Sequence, residues 1–172
     1  VSADEFRAFT RLPVVQNPEI QALEWVPLIR QADRARFESQ LSGELGLESF
    51  RITRLSPAGV LQPEGQRDRY APVTYVAPLE GNEPDVGYDL LSTAERSKTL
   101  DQASVTRSVV MSAPLRLVQS QNAEEYGSLL VYPSFDEKQQ LEGFAVGVYR
   151  MQRLFERLSA SGLGSDWNLR VS

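Results

Sequence analysis

The spacing of apolar residues changes near residue 48, and that change fixes the fold class. Before it, Phe6, Phe9 and Leu12 recur every third position, and Phe37, Leu41 and Leu45 every fourth, as on helix faces. After it, Phe50 and Ile52 alternate with polar neighbours. So do Ala71, Val73, Tyr75, Ala77 and Leu79, and later Phe144, Val146 and Val148, as in strands. Turn residues such as Gly81-Asn82-Glu83-Pro84 separate neighbouring strands, so the sheets are expected to be antiparallel. Helix first, then short strands mixed with helices, reads as α+β. The 172 residues, 41% of them hydrophobic, suffice for one domain or two small ones.

In more detail, an opening helix over 1–12 is interrupted by Pro13 and Pro18. Helical character resumes at Asn17, an N-cap with Pro18 at the first helical position. It continues through Ile20, Leu23 and Trp25, kinks at Pro27, and ends near Gly43–Gly46. Strands are expected from Ser49 to Leu55, Tyr70 to Leu79 and Val86 to Leu91, with a polar loop over 60–69. Ser92 or Thr93 caps a helix that runs to about Thr106. Short strands follow at Val109–Met111 and Leu115–Val118, then a loop over 119–125. Next come strands over 126–135, with Pro133 at its end or on an edge, and 142–150. A helix over 151–161 is terminated by Gly162 and Gly164, and a last strand starts at Trp167. The resulting segments are 1–47, stalk-like and helical; 48–118; and 119–172.

Several chemistries are excluded by composition. There is no Cys and no His, so there is no thiol nucleophile, no imidazole base and no His/Cys zinc site. No cofactor is implied. The net charge of −5, with arginines scattered beside carboxylates, argues against nucleic acid and against docking on an anionic membrane surface. No apolar stretch approaches the roughly 20 residues that cross a bilayer. The opening Val1-Ser2-Ala3-Asp4-Glu5 lacks Met and a basic leader, and reads as the start of an excised fragment.

Five groups of residues together resemble the CHASE domain. They are Ala22-Leu23-Glu24-Trp25-Val26-Pro27 with Asp33 to Glu38; Tyr70-Ala71-Pro72-Val73 through Leu79; Gly81-Asn82 with Gly87-Tyr88-Asp89-Leu90; Ala113 to Leu117; and Gly143 to Gly147. Each is weak alone, but their order and spacing span nearly the whole chain. The resemblance implies an extracytoplasmic, periplasmic sensor of a histidine kinase or diguanylate cyclase, and not an enzyme in itself. It implies a long N-terminal stalk helix followed by two PAS-like antiparallel sheets, membrane-distal over 48–118 and membrane-proximal over 119–172. The partners implied are a small-molecule ligand and a second copy, through a homodimer at the N-terminal helix, with flanking transmembrane helices outside this chain.

Site residues carry over one at a time. In the plant cytokinin receptors an Asp two residues before the Tyr-Ala-Pro-Val strand accepts hydrogen bonds from the adenine, and Asp68 holds that place. A main-chain contact maps to Tyr88. An aromatic–Arg pair maps to Leu115 and Arg116, without the aromatic, and a Thr maps to Val131, without the hydroxyl. These departures argue for a ligand other than a cytokinin, though still one with N–H donors. Tyr75 completes the expected pocket.

Each of these residues also has a plainer reading. Asp68 either faces a ligand, at about 1.5–3 kcal/mol for such a bond, or is a loop carboxylate neutralised by Arg67 or Arg69. Arg116 either pairs with an anionic ligand group or points outward between Leu115 and Leu117. Tyr75 and Tyr88 contact ligand or belong to the core. Trp25 and Phe37 pack the long helix, or a dimer seam. Glu124-Glu125 and Asp136-Glu137 are read as solvated turns rather than a glycosidase pair. The same fold without a ligand would serve as an interaction or dimerisation module.

Overall fold

The computed structural model describes residues 1–117, 126–151, 153, 156 and 159. The elements are α1 (Ala3–Gln16), β1 (Ile20–Pro27), β2 (Ile29–Arg30), α2 (Arg34–Leu45), β3 (Thr53–Leu55), β4 (Leu61–Pro63), β5 (Arg69–Tyr70), β6 (Tyr75–Ala77), α3 (Ala94–Thr106), β7 (Val110–Met111), β8 (Leu115–Arg116), β9 (Tyr126–Phe135) and β10 (Leu141–Arg150). The fold is α+β with antiparallel pairing, as the periodicity implies. The expected loop over 119–125 and the strand from Trp167 lie outside the described residues.

A six-stranded sheet dominates, in the order β6-β1-β10-β9-β7, with β8 also on β9. Its longest pairing is the β9–β10 hairpin, closed by Asp136, whose Oδ1 accepts from the Gln140 N–H at 2.8 Å. Asp136 and Glu137 are thus turn residues. Pro133 lies in β9 beyond the residues that pair with β7 and β8, on a stretch where its missing N–H costs no ladder bond.

The first 47 residues do not form one long helix. α1 has 14 residues, begins with a capping box between Ser2 and Glu5, and ends at Asn17, which is a C-cap rather than an N-cap. Its spacing-three face splits as well: Phe6 is buried, while Phe9 and Leu12 are 77% and 60% exposed. Three residues turn a helix by 300°, so a three-residue rhythm drifts off any one face. Ile20 to Pro27 is a strand, and a central one, between β6 and β10. The run Ala-Leu-Glu-Trp-Val fits a helix or a buried strand by periodicity alone. Coverage on both sides by neighbouring strands decides it.

The expected strands over 70–79 and 86–91 are also broken up. Only Arg69–Tyr70 and Tyr75–Ala77 are strands; Pro72 and Tyr88 make isolated bridges to Asp89 and Thr53. Gly87 lies between, at φ +90, and a Cβ there would sit 2.6 Å from the Arg51 carbonyl oxygen. That close approach only glycine allows.

The core lies on one face of the sheet. Ala22 and Val26 of β1, Phe144, Val146 and Val148 of β10, and Leu129 and Val131 of β9 meet Leu100 and Ala103 of α3, with Tyr88, Leu90 and Leu91. α1 packs against β1 and β6, with Phe6 and Tyr75 rings 5.8 Å apart. A second cluster, Leu41, Phe50, Ile52 and Tyr70, sits under α2.

Candidate functional site

Alternation along β1 puts Glu24 on the same face as Ala22 and Val26, with Val76 and Val146 beside it in the neighbouring strands. Its carboxyl therefore points into the core beneath α3, and the residue is 4% exposed. Three more polar groups converge on it. Asp85 ends the short 3-10 turn Glu83–Asp85, Tyr88 follows it, and Arg96 comes from the first turn of α3. All three are at least nine-tenths buried. With Val73, Leu90, Leu117, Leu129 and Val148 they enclose a cavity of about 10 Å³, roughly the space of one water.

The cluster is not fully satisfied. Arg96 donates to the Arg116 carbonyl at 2.6 Å and lies over the Tyr88 ring, 5.3 Å from its centroid. Glu24 shares a side-chain hydrogen bond with Asp85. Two carboxyls can do that only if one keeps a proton. Burial, then the neighbouring Asp85 charge, push Glu24 well above the ordinary carboxylate range, and Arg96 pulls only partly the other way. One proton on the pair leaves a single negative charge facing Arg96, which is a neutral centre. Yet Glu24 Oε2 and the Tyr88 hydroxyl, both buried, have no hydrogen-bond partner among the described residues. Such orphans are costly unless a group from outside completes their bonding.

The family model for the CHASE domain matches residues 1–172. The chain belongs to the CHASE family. No curated protein matches the sequence. CHASE domains are extracytoplasmic sensor domains of signalling receptors, and are not catalytic. Among the described residues no helix is long and apolar enough to cross a membrane.

Within this CHASE domain the residues singled out from the sequence separate into four places. Tyr88, Leu115 and Val131 share the main core, and Tyr88 alone of the six lines the small cavity. Val131 lies between Val110 and Val146 in the sheet. Arg116 is exposed, and its carbonyl rather than its guanidinium meets the cluster, through Arg96. Tyr75 is on the opposite face of the sheet, half-buried, donating to Glu44 Oε1 at 2.7 Å. Burial and that bond push its hydroxyl up to about 12. Asp68 is exposed, and its carbonyl accepts from the Gln31 N–H at 3.1 Å.

The carboxylate that organises the adjoining segment is Asp89. Its Oδ1 accepts from the N–H groups of Ala71, at 2.8 Å, and Leu91, at 3.0 Å, while Arg67 stands 3.4 Å from Oδ2. It ties the 69–72 segment to the 88–92 segment. Neither Glu24, Asp85 nor Arg96 was singled out by sequence reasoning. The available signal was period two through Ala22, Glu24 and Val26, hidden by the helical reading of that stretch.

Proposed function

We propose that this CHASE domain is the periplasmic small-ligand sensor of an inner-membrane receptor with a cytoplasmic histidine kinase or diguanylate cyclase module. The six-stranded sheet is its PAS-like core, and the ligand binds on the face that carries Glu24. The observation that carries this reading is the buried centre of Glu24, Asp85, Tyr88 and Arg96 with two open oxygen positions. Glu24 Oε2 accepts, and the Tyr88 hydroxyl accepts or donates, so a ligand bearing N–H donors suits them. The space there is far below the about 300–1,000 Å³ of ordinary ligand sites. Admission therefore requires an element that roofs the cavity, α3 or the Glu83–Asp85 turn, to move off the sheet. That requirement supplies two arrangements with different ligand affinity, which is what signalling needs.

Asp68 is a candidate for the rim of that entry, with Leu115 and Val131 as apolar wall and Arg116 as an outer position, while Tyr75, on the opposite face, stands outside this site. Asp68→Ala tests the rim. Titration calorimetry of a bound amine or purine should show weaker binding with an unchanged melting temperature; equal affinity removes Asp68 from the site.

A second reading, a ligand-free dimerisation module, is favoured by α1. Phe9, Leu12 and Val15 are all at least 60% exposed on that helix. Sedimentation of Phe9→Ser/Val15→Ser beside the unaltered chain tests homodimerisation through α1. A dimer lost in the variant supports it, and a monomer in both contradicts it.

A further inference from the structure

α1, the stretch from Leu45 to Thr53 and the stretch from Thr74 to Val86 enclose a cavity of about 530 Å³ that shares no lining residue with the Glu24 centre. We propose that it is a second small-molecule site, separate from the Glu24 centre, for a largely apolar molecule carrying one carboxylate.

The volume falls within the range of small-molecule sites. The body of the cavity is apolar: Phe6 from α1, Leu47 and Phe50 from the second wall, and Leu79 and Val86 from the third. Leu47 and Leu79 are 46% and 55% exposed, so this apolar surface is left open to water. An apolar occupant removes that exposure.

The polar groups give the sign of the head group. Two arginines line the cavity, Arg7 and Arg51, against one carboxylate, Glu83. Arg51 is poorly neutralised. It stands 3.8 Å from Glu38, whose other oxygen already serves Arg34 and the Ile52 N–H, each at 3.0 Å. Arg7 pairs with Asp4 at 3.3 Å where both are largely exposed, a contact of small worth. Thr53 lies two positions after Arg51, on the same side of the chain, and Ile52 between them is turned into the second core. The Thr53 Oγ1 is buried and has no partner among the described residues. A carboxylate between the Arg51 guanidinium and the Thr53 hydroxyl gains one charge-assisted fork and satisfies one orphan. Because α1 is one wall, the occupant also fastens α1 to the rest of the domain.

The test uses the 172-residue chain and two probes of nearly equal size, 1-naphthaleneacetate and uncharged 1-naphthaleneethanol, titrated by calorimetry. The acid should bind about tenfold more tightly than the alcohol, the contribution of one charge-assisted hydrogen bond. Arg51→Gln should remove that advantage and leave the alcohol unchanged, at an unaltered melting temperature. Hydrogen exchange should slow in α1 and in 45–53 when the acid is bound. Glu24→Gln should leave both affinities as they were, whatever becomes of ligand binding at the Glu24 centre. Absence of binding by either probe, equal affinity for the two, or an unchanged acid affinity in Arg51→Gln overturns the proposal.

Discussion

Asp89 and Glu24 are both carboxyl groups sunk in the core, and they are built in opposite ways. Asp89 is enclosed by donors: two backbone N–H groups on one oxygen and Arg67 on the other. Glu24 has another acid for its partner and one oxygen with none. Both are pushed up by burial, but at Asp89 the Ala71 and Leu91 N–H groups and Arg67 oppose the push. Depth of burial is the same kind of fact in both. What separates a staple from a poised site is whether the surrounding chain completes the hydrogen bonding.

That contrast breaks most visibly at Asp89. Asp89→Ala leaves two buried N–H groups unpaired and should cost about 3–5 kcal/mol, read from urea unfolding. A loss below about 1 kcal/mol would mean that Asp89 is no staple. Glu24→Gln should behave differently, because an amide keeps a bond to Asp85 and carries no charge. Stability near neutral pH should be unchanged or higher.

The pH dependence sharpens the difference. A carboxyl raised in the folded state binds its proton more tightly there than in the unfolded chain. Its stabilisation is complete below the unfolded value, near 4.5, and is lost as pH rises toward the folded one. The stability of Glu24→Gln relative to the unaltered chain should therefore climb with pH above 4.5, in paired unfolding curves. A flat difference would place Glu24 in contact with water.

The smallest effect is expected at the exposed Tyr75–Glu44 bond. Tyr75→Phe should cost about 1 kcal/mol or less. Ultraviolet titration should show one tyrosine ionising at about 12, moving toward 10 in Glu44→Gln. Its stabilisation is present below pH 10 and lost between the two values.

Much of the sheet is legible in the sequence where local pattern and tertiary setting agree. β9 and β10 are ten-residue strands close to where the sequence places them, with Phe144, Val146 and Val148 alternating into the core, and α3 runs from Ala94 to Thr106 as expected, although the Thr93 side chain makes no capping bond. β1 reads as a helix in the sequence because a central strand loses the polar alternation that marks an exposed one. With Trp25 and Val26 both buried, only the pairing with β6 and β10 distinguishes it from a helix. The site suffered with it: a helical Glu24 is one more solvated acid, whereas on a central strand it must enter the core. Asp68 and Asp89 illustrate the same limit. Both follow runs that read as loop or strand, and only the folded chain shows that Asp68 is exposed while Asp89 gathers the N–H groups of two segments.

The most direct test of the central claim is a thermal-shift screen of this domain and of Glu24→Gln against purines, cytokinins, amino acids and organic acids. A ligand at 100 times its dissociation constant adds about 2.7 kcal/mol of stability, which is readily seen. The account predicts an N–H-bearing compound that raises the melting temperature of the unaltered domain and not that of Glu24→Gln. An N–H-bearing hit that shifts both proteins equally, or no shift from any N–H-bearing compound, would contradict it.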